Sequence, residues 1–187
     1  MPFQFHDHSA IVGTHALLSP SNYHWINYSD EKLIDVSKKQ EAVKKGIEDH
    51  EFAATCIRRK QKLPKSQKTL NSFVNDAIGY RMTPEQPLYF SENAFGTSDA
   101  ISFDGKLLRI HDLKTGETPA SMTQLQVYAA LFCLEYGVKP GKIDIELRIY
   151  QFDEIAVNLP ATEEIVRIAD KIVHFDKILR KLKEEEL

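Results

Sequence analysis

The sequence predicts an α/β (α+β) fold: about four strands, with amphipathic helices before, between and after them. Three observations predict it. Asp104-Gly105 separates two apolar runs within residues 96–114, and an Asp-Gly pair between such runs is a strong hairpin signal. Residues 142–152 alternate, with Ile143, Ile145, Leu147 and Ile149 on one side and Asp144, Glu146, Arg148, Tyr150 and Phe152 on the other, which is the period of a strand. Around these strands lie stretches whose apolar residues recur every three or four positions, the period of a helix with one buried face.

The first 18 residues carry little signal beyond Ile11, Val12 and Ala16-Leu17-Leu18, read as a short buried piece. Ser19-Pro20-Ser21 followed by Asn22 to Tyr28 reads as a helical turn, with Ser19 as N-cap and Pro20 at the first helical position. Tyr23, His24 and Trp25 within it would stack on bases or pack as a core edge. Residues 29–60 are helical, with Asp30 as N-cap and a stripe through Leu33, Ile34, Val36, Val43, Ile47, Phe52, Ala53 and Cys56. Gly46 interrupts that helix at a cost of about 1 kcal/mol relative to Ala, so the spacing predicts a close approach to its backbone. A second helix follows over 69–81, on Leu70, Phe73, Val74, Ala77 and Ile78.

Residues 87–93 read as the first strand and 96–114 as the hairpin. Thr118 and Pro119 then open a helix that runs through Leu125, Ala129, Ala130 and Leu134 to Gly137. After the strand over 142–152, Thr162 with Glu163 and Glu164 starts a last helix, striped by Ile165, Ile168, Ala169, Ile172, Phe175, Leu179 and Leu182. That stripe fits core packing, with a partner contact left open.

The bulk composition fits one globular domain over 1–187: a helical N-terminal part over 19–85, a sheet core over 86–152 and a C-terminal helix over 161–187. No apolar run approaches the length of a membrane span, and the first residues lack the basic-then-apolar pattern of a secretory signal, so a cytoplasmic protein is expected. Cys56 and Cys133 fall in predicted helices and read as small buried hydrophobes. The net charge of −3 does not advertise nucleic-acid binding. Basic residues nevertheless crowd between Lys38 and Lys68, while the chain ends in Glu184-Glu185-Glu186. A local basic face can hold phosphates even so, although most such faces are simply solvated.

The chemistry is concentrated in the hairpin. Asp112 and Lys114 project from one face of its second strand, and Asp99 stands on the first. Two converging carboxylates make an oxygen-rich site for a hard cation such as Mg²⁺ or Mn²⁺, and a lysine beside them can hold a water or a phosphate oxygen. The same spacing also fits a strand-end salt bridge and a turn aspartate. His50 lies one turn beyond Gly46, a place where histidine is more often structural or solvated than a ligand. Gln124 and Tyr128, four apart, share a helix face.

Four short motifs occur in one order: Gly46-Ile47-Glu48-Asp49-His50, Gly96-Thr97-Ser98-Asp99, Asp112-Leu113-Lys114-Thr115-Gly116 and Gln124-Leu125-Gln126-Val127-Tyr128. With the predicted elements, they make residues 19–152 resemble the PD-(D/E)XK nuclease superfamily, in the RecB-like, phage-exonuclease-type branch. The serine-rich start at Ser19 is similar too. The resemblance implies a restriction-endonuclease-like core, a central mixed sheet of about four strands flanked by helices. It implies that His50, Asp99, Asp112 and the Leu113 carbonyl bind Mg²⁺ or Mn²⁺. It further implies that Lys114 positions the attacking water and that Gln124 and Tyr128 stand at the mouth of the site, touching DNA backbone or fixing Lys114.

The expected activity is a metal-dependent deoxyribonuclease, an exonuclease of phage or prophage recombination or DNA processing in a bacterial cytoplasm. DNA is the expected partner, and a recombination protein or further copies of the chain are left open. The alternatives are a catalytically silent DNA-binding or inhibitory module on the same fold, and an unrelated structural protein. The chain departs from many relatives in lacking four cysteines for an iron–sulfur cluster, and in having no helicase part.

Overall fold

Asp104 and Gly105 make the turn they predict. Asp104 Oδ1 accepts the backbone N–H groups of Lys106 and Leu107 at 2.9 and 2.8 Å, and Gly105 takes a φ of 93°, open to glycine at little cost. The turn joins β2 (Ala94–Phe103) to β3 (Leu107–Leu113). A computed structural model describes residues 16–185, and the side chains of residues 22 and 23 are not among those described. Ile11, Val12, the Tyr23 ring and Glu186 lie outside that description.

The chain divides into two compact units, Met1–Lys44 and Lys45–Leu187. In the first, Pro20–Asn27 is a 3-10 helix with Ser19 at its N-cap. The Ser19 hydroxyl pairs with that of Ser21 at 2.8 Å instead of capping a backbone N–H, and Trp25 Nε1 donates to the Ser19 carbonyl at 3.0 Å. Leu18 is exposed, so the short buried piece expected there does not extend to it. Helix α1 (Asp30–Arg58) begins in this unit and continues into the second. Its expected stripe is only partly buried. Ala53, Ala54, Cys56 and Ile57 are covered, while Ile34, Val43, Ile47 and Phe52 are exposed.

The second unit is a five-stranded mixed sheet with helices on both faces. β1 (Thr83–Ser91), β2, β3, β4 (Asp144–Gln151) and β5 (Glu154–Asn158) lie in that order. Only β3 and β4 run parallel, because a helix, α3 (Thr123–Tyr136), connects them. α2 (Thr69–Gly79) precedes β1, and α4 (Thr162–Glu185) ends the description. The strand alternation divides the core. Leu108, Ile110, Leu147 and Ile149 pack with Leu125, Ala129 and Ile165 of α3 and α4. Leu113 and Tyr150 pack on the other face with Phe73, Val74, Ala53 and Ile57 of α2 and α1.

Three expectations are corrected. The sheet has five strands, not about four, because β4 turns at Phe152-Asp153 and returns as β5. The first strand begins at Thr83 rather than at residue 87. β1 is an edge strand, where Pro84 and Pro87 need donate nothing to the ladder. α3 begins at Thr123, not at Pro119, because the Gln151 side chain claims the preceding loop. Its Oε1 accepts from Ala120 N at 3.0 Å, and its Nε2 donates to the Gly116 and Thr118 carbonyls, each at 2.8 Å. Among the described residues, no helix is long and apolar enough to cross a membrane.

Candidate active site

At the C-terminal end of β3 the ladder with β2 stops at the Ala100↔His111 pair. Beyond it the Leu113 N–H is taken by a side chain instead, Asp99 Oδ2, at 2.8 Å. That bond draws the Asp99 carboxylate into the gap. The next N–H, of Lys114, donates to the Tyr150 carbonyl of β4 at 2.9 Å, so the end of β3 stays anchored on its other side.

Asp112 and Lys114 share the face that carries Leu108 and Ile110 inward, as strand alternation requires. Asp112 is buried, with 3% of its side chain exposed. Lys114 Nζ donates to Asp112 Oδ1 at 3.1 Å and to Gln124 Oε1 of α3 at 2.9 Å. Asp112 Oδ2 lies 3.0 Å from the same ammonium, yet it is buried without a hydrogen bond of its own. Burial first, and the Asp99 charge second, push the Asp112 carboxyl up to about 6 against the pull of Lys114 and His50.

His50 reaches the site from α1, where Gly46, His50, Ala53, Ala54 and Ile57 form one face at helical spacing. A Cβ on Gly46 would stand 3.0 Å from Thr115 Oγ1, so this glycine lets the loop after β3 approach the helix. His50 Nδ1 is 3.4 Å from Asp99 Oδ2. Hydrogen bonding to Asp99 raises the imidazole above its ordinary range despite partial burial, helped by the charges of Asp99, Glu85 and Asp112.

Glu85 was not expected. Between the Pro84↔Ala100 and Gln86↔Ser98 pairs it stands on β1 at the level of Asp99 on β2, with a left-handed φ of 51°. One ligand atom each of His50, Glu85 and Asp99 lie within 4.8 Å of one another. Burial, then the Asp99 charge, raises the Glu85 carboxyl as well. Extending the first strand back through its prolines would have placed residue 85 in it, but a regular hairpin turning at Glu92-Asn93 sets position 85 opposite Ala100; the register shift between Tyr89 and Ser91 is what brings it to the level of Asp99.

Tyr128 donates its hydroxyl to the Thr97 carbonyl at 2.7 Å. A Cβ on Gly96 would meet the Tyr128 ring at 3.0 Å, so Gly96 and Tyr128 are two halves of one contact. The structure therefore brings together Asp99, Asp112, Lys114, Gln124 and His50, adds Glu85, and sets Tyr128 against the strand that carries Asp99. The Leu113 backbone joins this group through its N–H.

The donor set of His50, Glu85 and Asp99, two carboxylates with one imidazole, fits a hard or borderline divalent cation, and the buried Asp112 carboxylate beside it is paired with Lys114. Compared with known proteins, the chain matches no family model, no curated protein and no solved structure.

Proposed function

We propose that the chain is a divalent-metal-dependent deoxyribonuclease built on a PD-(D/E)XK-type core, an exonuclease of the recombination-processing kind acting in a bacterial cytoplasm. The observation that carries this reading is the meeting of Asp112, Lys114, Asp99, Glu85, His50 and Gln124 from five elements. They converge at one strand end, around a carboxylate too buried to be an ordinary surface ion pair. A structural salt bridge needs neither the third carboxylate nor the histidine.

His50, Glu85, Asp99 and Asp112 would hold Mg²⁺ or Mn²⁺, with the Leu113 carbonyl as a further oxygen ligand. When bound, the cation supplies Lewis acidity toward a phosphate oxygen and lowers the pKa of a coordinated water. Lys114, fixed between Asp112 and Gln124, would orient the attacking water and offset the charge that develops on the phosphate oxygens. The attacking water would bond through its oxygen to phosphorus and give up a proton to solvent, the ester P–O bond would break, and the leaving alkoxide would take a proton from solvent. Tyr128 would act through the strand it touches.

The test is digestion of end-labelled linear duplex, linear single strand and closed circular DNA with Mn²⁺, Mg²⁺ or EDTA. Metal-dependent loss of the linear substrates with circles intact is expected. Asp112→Ala and Lys114→Ala should each lose at least about a hundredfold in rate while keeping the wild-type circular dichroism. Folded protein that binds DNA and cleaves none under any metal would establish the silent binding module instead. Wild-type rates in either variant would overturn the site assignment.

A further inference from the structure

Beside Lys114 opens a groove of about 370 Å³, lined by Asp49 of α1, Lys68 and Thr69 at the start of α2, Lys114 and Glu117, and Phe152 of the β4–β5 turn. Leu113 and Lys114 border it, whereas His50, Glu85, Asp99 and Asp112 do not line it. Phe152 is 56% exposed and holds a φ of 55°, a left-handed conformation in which glycine or asparagine is the ordinary choice. Phe152 and Asp153, φ 59°, lie between the paired Gln151 and Glu154, as a two-residue hairpin turn requires.

Asp153 ties the turn to the start of α2. Its Oδ1 accepts from Thr69 N at 2.7 Å and from Thr69 Oγ1 at 3.0 Å, and its own N–H donates to Thr69 Oγ1 at 2.7 Å. Phe152 takes no part in those hydrogen bonds, and its side chain stays more than half exposed on a left-handed backbone.

The groove combines an exposed aromatic surface, two carboxylates, Asp49 and Glu117, and two ammonium groups, Lys68 and Lys114. A nucleobase matches this set. Its face stacks on an aromatic ring, and its exocyclic amino groups donate to carboxylates. The carboxylates disfavour a phosphate inside the groove but not next to Lys114. A base within a duplex has both faces stacked and its pairing edge engaged, so only an unpaired one fits. We propose that this groove holds an unpaired nucleobase adjoining the phosphate at Lys114, with Phe152 as its stacking platform. The assignment rests on the nuclease reading above and adds to it a preference for a single-stranded or frayed end.

The test is fluorescence anisotropy on the full chain carrying Asp112→Asn, which leaves the DNA uncut. The probes are a labelled mixed-sequence single strand and the blunt duplex of the same sequence. Adding Phe152→Gly is expected to weaken single-strand binding roughly tenfold and duplex binding much less, whereas Phe152→Tyr should bind as the parent does. Thermal melting should show the glycine variant as stable as its parent or more so, since its backbone suits glycine; this separates lost stacking from lost fold. Equal binding by Phe152→Gly and its parent, or an equal loss on both probes, would overturn the subsite and leave the nuclease reading standing. A parent that binds neither probe, with a wild type that cleaves neither, would overturn both.

Discussion

At Asp112 the proposed chemistry and the stability of the fold oppose each other. Burial pushes its carboxyl from 3.8 up to about 6, so the folded chain binds that proton more tightly than the unfolded chain. Stability from this group is therefore present at low pH and is lost as pH rises from about 4 to 6. Metal-free Asp112→Asn should be more stable than wild type at pH 7, by roughly 1–3 kcal/mol, and the gap should close toward pH 4. Urea unfolding at the two pH values checks this, and a gap that widens toward acid would contradict the assignment. Glu85 offers a second contrast. Glu85→Gly removes a carboxylate from the His50–Asp99 group while relieving a left-handed backbone. The apo protein should melt no lower than wild type, yet Mn²⁺ should raise its midpoint less than it raises the wild-type midpoint. At Gly96, an added methyl must move the Tyr128 ring. Gly96→Ala should lower the cleavage rate, and Tyr128→Ala should restore part of the lost stability in the double variant, which a double-mutant cycle measures.

Among the elements, the loop between β3 and α3 owes its course to one glutamine. Gln151 satisfies a backbone N–H and two carbonyls of residues 116–120 from a nearly buried position. Gln151→Ala would strand those groups, at a cost of about 1–3 kcal/mol in urea unfolding. Because Lys114 precedes that loop directly, cleavage should fall further than the stability loss explains; an unchanged rate would show the loop to be independent of the site. This loop also marks a limit of local reading. Thr118-Pro119 is a sound helix start by capping rules, and a side chain 31 or more residues away overrules it. The turn Phe152-Asp153 defeats local reading in the same manner, since neither residue is the glycine or asparagine that announces a two-residue hairpin.

For the whole molecule, every buried hydrophobic residue among those described lies at Ala53 or later. The unit Lys45–Leu187 thus contains the entire described core and all the candidate site residues. A chain beginning at Lys45 should unfold cooperatively and keep a mixed helix-and-strand circular dichroism spectrum. It should also keep a thermal response to Mn²⁺, which requires His50 to remain helical; a flat response would show that the earlier part of α1 holds His50 in place. The core itself is steep. Leu147, wholly buried between the sheet and α3, should cost about 2–5 kcal/mol when cut to alanine.

Read alone, the sequence determined the elements whose signal is local. These are the Asp104-Gly105 hairpin, the alternating β4, the amphipathic α2 and α4, and the shared face of Asp112 and Lys114, because period and turn chemistry act within a few residues. It also determined that Gly46 meets something closely, since a mid-helix glycine costs stability otherwise. Tertiary structure decided what distance in the chain conceals. Edge position let two prolines stand within β1 and so carried Glu85 to the site. The parting of β2 from β3 turned Asp99 inward to the Leu113 N–H. Burial, which no pattern of neighbours states, put the Asp112 carboxylate out of water and raised its carboxyl. A site assembled from α1, β1, β2, β3 and α3 depends on how those elements pack, and packing is a property of the whole core rather than of any segment.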